Sequence, residues 1–246
     1  MSQKTTFWES LVSRIKIKTR QVFGAIVEGS SELQIAARDN HYELLELLLA
    51  EPGVNVNIRD ENDMTPLMVA CRAGHTKIVR SLCQAEGVDI NCRDRDGWTA
   101  LHQAIMSNSL ACLEILRESP RTDWNVRTNS GEFPLSMALL WGFPDILQVI
   151  LSVSPLGLDL SLTDPAGRNL AQIAVESEGA NSVRSVQLLS QNRRVNWNIK
   201  NKEGDTPVMF CLKNNKLEMA RILLSTPRVN LNTRDTQGKY LENIAR

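Results

Sequence analysis

A phrase of about thirty-four residues returns along this chain, and that recurrence limits the fold more than any other feature. Its register mark is an apolar residue at Leu33, Leu67, Leu101 and Leu135, each step being 34 residues. The next marks are Ala171, 36 residues on, Val208, 37 on, and Glu242, 34 on. A sequence of 246 residues that repeats itself in this way grows by adding units and has no single central core. Six near-complete units and one partial unit fill residues 31–246, with starts near 31, 65, 99, 133, 169 and 206 and the partial unit from 240.

Each unit reads as two short helices and a turn. The first helix begins at Thr65, Thr99 or Thr206, and in the variant copies at Ser31, Phe133, Asn169 and Tyr240. A Thr hydroxyl can cap the free N–H groups of a helix start, and Pro just inside has no N–H to satisfy. Small residues recur at Ala36, Ala70, Ala104, Ala138, Ala174 and Cys211, where they let neighbouring helices approach. The first helix stops at Asn40, Gly74, Asn108, Gly142 and Asn215, residue types that tolerate left-handed backbone. The second helix carries an aliphatic stripe such as Ile78-Val79-Leu82 or Ile146-Leu147-Ile150. A Val-Asp/Asn-x-Asn phrase follows, then a polar tip and Gly97, Gly131, Gly167, Gly204 or Gly238, which suits a hairpin turn.

Residues 1–30 stand outside the repeat. Trp8, Leu11, Val12, Ile15, Val22, Phe23 and Ile26 share one helical face. Arg14, Lys16, Lys18 and Arg20 lie mainly opposite, Ile17 interrupts the pattern, and the segment carries +3 once Lys4, Glu9 and Glu28 are counted. The pattern predicts an amphipathic helix over 5–27. Three roles stay open for it: a cap on the exposed end of the array, a helix for a membrane surface or partner, and a mitochondrial presequence.

The repeat phrases Thr99-Ala-Leu-His-Gln-Ala104 and Asp89-Ile-Asn-Cys-Arg-Asp94 resemble those of the ankyrin repeat family, and the resemblance runs from 31 to 246. It implies an all-α repeat solenoid: stacked helix-turn-helix units joined by β-hairpin-like loops. It also implies that His102, where only one unit keeps the motif histidine, bonds Thr99 and nearby loop backbone in a structural role. A further implication is that the turn asparagines Asn57, Asn91, Asn198 and Asn232 can be hydroxylated by an oxygen-sensing dioxygenase. One unit departs from the pattern, because Glu176-Ser-Glu-Gly-Ala-Asn-Ser182 lengthens the connection between its helices by three residues.

Catalysis needs convergent polar groups, and none of the usual nucleophile, phosphate-loop or metalloprotease motifs is present. The three histidines, His41, His75 and His102, do not cluster by spacing, and no metal or cofactor site is expected. The five cysteines, Cys71, Cys83, Cys92, Cys112 and Cys211, have no C-x-x-C pair and read as reduced, mostly buried apolar groups. Lys plus Arg and Asp plus Glu both number 28, so nothing in the charge balance calls for nucleic acid. No run of 18 apolar residues occurs and no secretory leader is recognisable. The chain is therefore expected in the cytoplasm, with the nucleus also open, and as a monomer.

What the pattern leaves free is a recognition surface. The resemblance places hairpin tips and first helices along the binding face, and exposed aromatics anchor such contacts. The candidate contacts are Asp63, Arg95, Asp96, Trp98, Asn129, Trp141, Phe143 and Lys202. Trp124 and Trp197, inside the Val-x-x-Asn phrase, are assigned to packing between hairpins. The expected function is a non-catalytic scaffold or adaptor that binds another protein. The alternatives are a regulatory N-terminal segment of a larger signalling protein, and a membrane-peripheral adaptor using helix 5–27.

Overall fold

The computed structural model describes residues 32–153, 157–234 and 236–238. The amphipathic helix read over 5–27 and the partial unit from 240 lie outside the described residues. Contacts divide the chain into two compact units, Met1–Thr122 and Asp123–Arg246.

Unit 1 holds α1 (Glu32–Arg38), α2 (Tyr42–Leu49), α3 (Pro66–Ala73), α4 (Thr76–Gln84), α5 (Ala100–Met106) and α6 (Leu110–Glu118). Unit 2 holds α7 (Pro134–Leu140), α8 (Pro144–Leu151), α9 (Leu170–Glu176), α10 (Ser182–Gln191), α11 (Pro207–Lys213) and α12 (Leu217–Leu224). Among the described residues no strand forms. One isolated antiparallel bridge joins Thr163 to Asn169. Each helix is shorter than the roughly 12–15 residues that an isolated helix needs in water, so each depends on packing.

That packing is regular within each unit. Successive helices pair, as α1 with α2 and α3 with α4. First helices then stack on first helices and second on second: α1 on α3 on α5, and α2 on α4 on α6. In unit 2, α7, α9 and α11 stack in one row and α8, α10 and α12 in the other. The small residues make the first row close-packed: Ala36, Ala70, Ala104, Ala138, Ala174 and Cys211 are all fully buried. The stripe of the second row is equally dry, with Ile78, Val79, Leu82, Leu113, Leu116, Ile146, Leu147 and Ile150 fully buried.

The helix stops are those the residue types imply. Asn40, Gly74, Asn108, Gly142 and Asn215 have φ of 59°, 75°, 50°, 68° and 56°. The starts differ from copy to copy. The Thr65 hydroxyl accepts the Met68 N–H at 3.4 Å. The Thr206 hydroxyl has no partner among the described residues, and Pro207 spares that helix start one N–H instead. At four starts the third helical residue answers the cap residue's own N–H: Met68 Sδ accepts from Thr65 at 3.4 Å, His102 Nδ1 from Thr99 at 3.1 Å, Ser136 Oγ from Phe133 at 3.0 Å and Gln172 Oε1 from Asn169 at 2.9 Å.

The hairpin tips share one geometry, built by residues at equal offsets. Asp94 N–H donates to the Trp98 carbonyl at 2.9 Å, and Gly97 N–H returns to the Asp94 carbonyl at 3.0 Å. The same two bonds close the tips at Asp60, Thr128, Asp164 and Asn201. The turn requires a positive φ at its fourth residue, which Gly97 supplies at 79° and Gly204 at 78°. In the tip before Gly97 that place falls to Asp63, with φ 62°. An L-residue costs about 1–2 kcal/mol in repeated left-handed backbone, and Asp bears it better than most. Asp63→Gly is therefore expected to stabilise the protein by about 1 kcal/mol, read as a higher urea midpoint. An unchanged or lower midpoint would show that Asp63 is not strained.

Candidate functional site

Side chains that recur in register are mostly used up in joining one repeat to the next. The residue opening each Val-Asp/Asn-x-Asn turn accepts the N–H two residues on: Asn55 from Asn57 at 3.1 Å, Asp89 from Asn91 at 3.0 Å, Asn196 from Asn198 at 3.0 Å. The Asn that follows then bridges to the next hairpin. Asn57 donates Nδ2–H to the Gly87 carbonyl at 2.8 Å and accepts the Asp89 N–H at 2.9 Å. In unit 2, Asn125 does the same with Gly157 and Asp159, at 3.0 and 2.8 Å. Asn198 does it with Arg228 and Asn230, at 2.8 and 2.7 Å. Asn91 donates to the Arg121 carbonyl at 2.7 Å.

A second set of bridges runs through cations. Arg59 reaches the Arg93 carbonyl at 2.8 Å, Arg127 the Thr163 carbonyl at 2.7 Å and Lys200 the Arg234 carbonyl at 2.8 Å. Sequence reasoning missed both sets, although the 30- to 36-residue spacing of the bonded partners follows the repeat. His75 belongs with them, its Nε2 lying 3.0 Å from the Arg38 carbonyl. The longer connection after α9 is tied down as well, because Lys216 Nζ donates to the carbonyls of Val175 at 2.7 Å and Ser177 at 3.2 Å.

The candidate contacts therefore divide by what their atoms already do. Asp63 is half-buried and holds the left-handed place of its turn. Arg95 is exposed, but its backbone N–H donates to the Asn62 carbonyl at 3.2 Å and its guanidinium donates to the Glu61 carbonyl, bracing the preceding tip. Asp96 is exposed at the same tip. Trp98 is half-buried, its ring 6.1 Å from the His102 ring. These four belong to unit 1 and to two neighbouring tips. In unit 2, Asn129 and Lys202 are exposed on separate tips. Trp141, 39% exposed, follows α7, and the half-buried Phe143 precedes α8. Their rings meet edge to face, 6.1 Å between centroids and 71° between planes. Trp124 and Trp197, at 5% and 2% exposure, are buried.

Little of this is suited to bond-making. His102 is fully buried, and its Nδ1 takes the Thr99 N–H, which makes it the unprotonated ring nitrogen. The Thr99 hydroxyl is 3.0 Å from the same atom. Burial pushes the Cys71 thiol well up, Cys83 to about 11 and Cys211 to about 12, so none is poised as a thiolate at neutral pH. Among the described residues no group of three or more His, Cys, Asp or Glu side chains is placed to hold a metal ion. None of the described helices is long and apolar enough to cross a membrane.

The chain's relatives agree with this geometry. A family model described as ankyrin repeats (3 copies) matches residues 33–128, 87–164 and 135–235. A comparison with curated proteins gives no match. Similar solved structures include the ankyrin repeat domain of Bcl-3, a member of the IkappaB family, at 26% identity over 89% of this chain and 95% of that one, with a TM-score of 0.77. An ankyrin repeat domain from Acinetobacter baumannii is 22% identical over 79% of this chain and 96% of its own, with a TM-score of 0.70. The human ASB11 ankyrin repeat domain is 24% identical over 88% and 92%, with a TM-score of 0.64. The likeness to these last two is one of fold alone. With its helix pairs, its bridged hairpins and family matches that together run from residue 33 to 235, the chain belongs to the ankyrin repeat family.

Proposed function

We propose that this chain is a non-catalytic scaffold that docks another protein through its hairpin tips and through the Trp141–Phe143 ring pair. Ankyrin repeats generally mediate protein–protein interaction and are generally not catalysts. The observation that carries the reading for this chain is the ring pair itself. An exposed Trp held edge to face by a half-buried Phe presents a rigid apolar anchor at little cost in side-chain entropy. Asp63, Arg95, Asp96 and Trp98 form the matching candidate patch on unit 1, and Asn129 and Lys202 add polar contacts on unit 2. In this reading residues 31–246 are the repeat array and 1–30 its accessory segment. The protein acts as a monomer without cofactor or metal, in the cytoplasm or nucleus.

Capture of partners from native lysate by the tagged full chain, compared with its Trp141→Ala variant, tests the proposal. A bound protein is expected to fall by about tenfold or more in affinity on losing such an anchor, that is, about 1.4 kcal/mol or more. Equal recovery by both forms would remove the ring pair as the anchor. No enrichment over the tag alone would remove the scaffold reading.

A further inference from the structure

The connection between α9 and α10 runs over five residues, 177–181, where the other described units join their two helices by two or three. The added length is pinned on both sides. Asn181 donates Nδ2–H to the Gly142 carbonyl at 2.9 Å, and Lys216 Nζ holds the carbonyls of Val175 and Ser177. Where the loop enters α10, the Ser182 hydroxyl donates to the Gly179 carbonyl at 2.8 Å. A loop tied in this way is a built part of unit 2. With the start of α12 it encloses an open cleft of about 370 Å³. That volume lies at the lower end of those that take a ligand. Val183 and the buried Met219 line the cleft. So does Leu217, whose 61% exposure is the largest of any large apolar side chain among the described residues.

The charge around the cleft narrows what can occupy it. Glu178 and Glu218 line it and are exposed, and neither has an ion pair or side-chain hydrogen bond among the described residues. Lys216 is the one cation of the described lining, and its ammonium is already engaged by the two carbonyls and lies 5.6 Å from the centre of the Phe210 ring. Glu218 stands in the first turn of α12, where it offsets the positive end of the helix dipole, so the helix start does not make the cleft an anion site. Two carboxylates with no cation opposite them therefore rim an apolar floor. A second copy docked by the same face would bring these carboxylates against their own equivalents, and a phosphate-bearing partner meets the same repulsion.

We propose that this cleft docks a segment of a partner protein that presents an aliphatic or aromatic side chain beside a lysine or arginine. The apolar group packs on Leu217, Val183 and Met219, and the cation pairs with Glu178 or Glu218. An exposed ion pair adds little affinity by itself and mostly selects among partners, so the apolar contact supplies the strength and the carboxylates the choice. The inference rests on the reading of this chain as a docking scaffold and gives it a contact outside the ring pair. The two contacts adjoin, because the Asn181–Gly142 bond ties the loop to the turn between Trp141 and Phe143.

Random dodecapeptides displayed on phage, depleted on the L217D variant and then selected on the full chain, test this. The survivors are expected to share an aliphatic or aromatic residue next to Lys or Arg. A synthetic survivor should lose about tenfold in affinity for Leu217→Ala, and about tenfold for E178K/E218K. Both variants change exposed residues only, so their fold is retained. The proposal is overturned if no peptide survives depletion, if the survivors lack a basic residue, or if E178K/E218K binds them as the unsubstituted chain does. Self-association of the full chain in sedimentation velocity that Leu217→Ala abolishes would assign the face to a second copy and overturn it equally. The lysate comparison with Trp141→Ala leaves the cleft intact, so a failure here is distinguishable from a failure of the scaffold reading.

Discussion

Leu113→Ala is expected to lower the unfolding free energy by about 2–5 kcal/mol, and Leu147→Ala to do so by a similar amount. Both side chains are fully buried, Leu113 in α6 and Leu147 in α8. Truncation removes apolar area and leaves a cavity that rigid neighbours fill only in part. The stacked rows offer little slack for such a collapse, since the alanines of the first row and the aliphatic stripes of the second already exclude solvent. A control comes from the same chain. Leu217 is 61% exposed, and Leu217→Ala should shift stability by no more than about 0.5 kcal/mol. Urea unfolding of the three variants gives the comparison. Because an array is stabilised by each repeat and its nearest neighbours, hydrogen exchange should quicken first around the substituted pair of helices. Equal effects at Leu113 and Leu217, or quickening spread evenly from end to end, would contradict this picture.

The parts of the fold that could be read in the sequence are those fixed by a single residue's own chemistry. Asn40 and Gly74 mark helix stops because few other residues accept left-handed backbone, and both adopt it. Leu33, Leu67, Leu101 and Leu135 mark the register because one position per unit must be dry, and all four are at most 3% exposed. Position 63 could have been read the same way. It stands 34 residues before Gly97, in the slot that needs a positive φ, yet an Asp there looks like any polar tip residue. The bridges between repeats were beyond this kind of reading for a physical reason. Asn57, Arg59 and Lys200 bond to backbone carbonyls, and a carbonyl carries no residue identity that a sequence could display. Arg95 shows the consequence for the candidate contacts. It is exposed, as a recognition residue must be, but its guanidinium already braces the Glu61 carbonyl. Exposure and variation pick out free positions only after such bonds have been subtracted.

Trp197→Ala should cost about 3–5 kcal/mol, while Trp197→Phe should come out within about 1 kcal/mol of the unsubstituted protein. The contrast follows from two features of one side chain. Trp197 is 2% exposed and ranks among the largest fully buried side chains, so truncation to a methyl group leaves a large void in the hairpin layer of unit 2. Its indole N–H, however, has no hydrogen-bond partner among the described residues and is closed to solvent. A buried donor left in that state costs roughly 1–3 kcal/mol. Phenylalanine keeps most of the ring and removes the donor, so the area lost and the penalty relieved are of the same size and opposite sign. Denaturation midpoints of the two variants decide the matter. If Trp197→Phe is as damaging as Trp197→Ala, the indole N–H is contributing a bond, and the hairpin layer is held there by polarity as well as by packing.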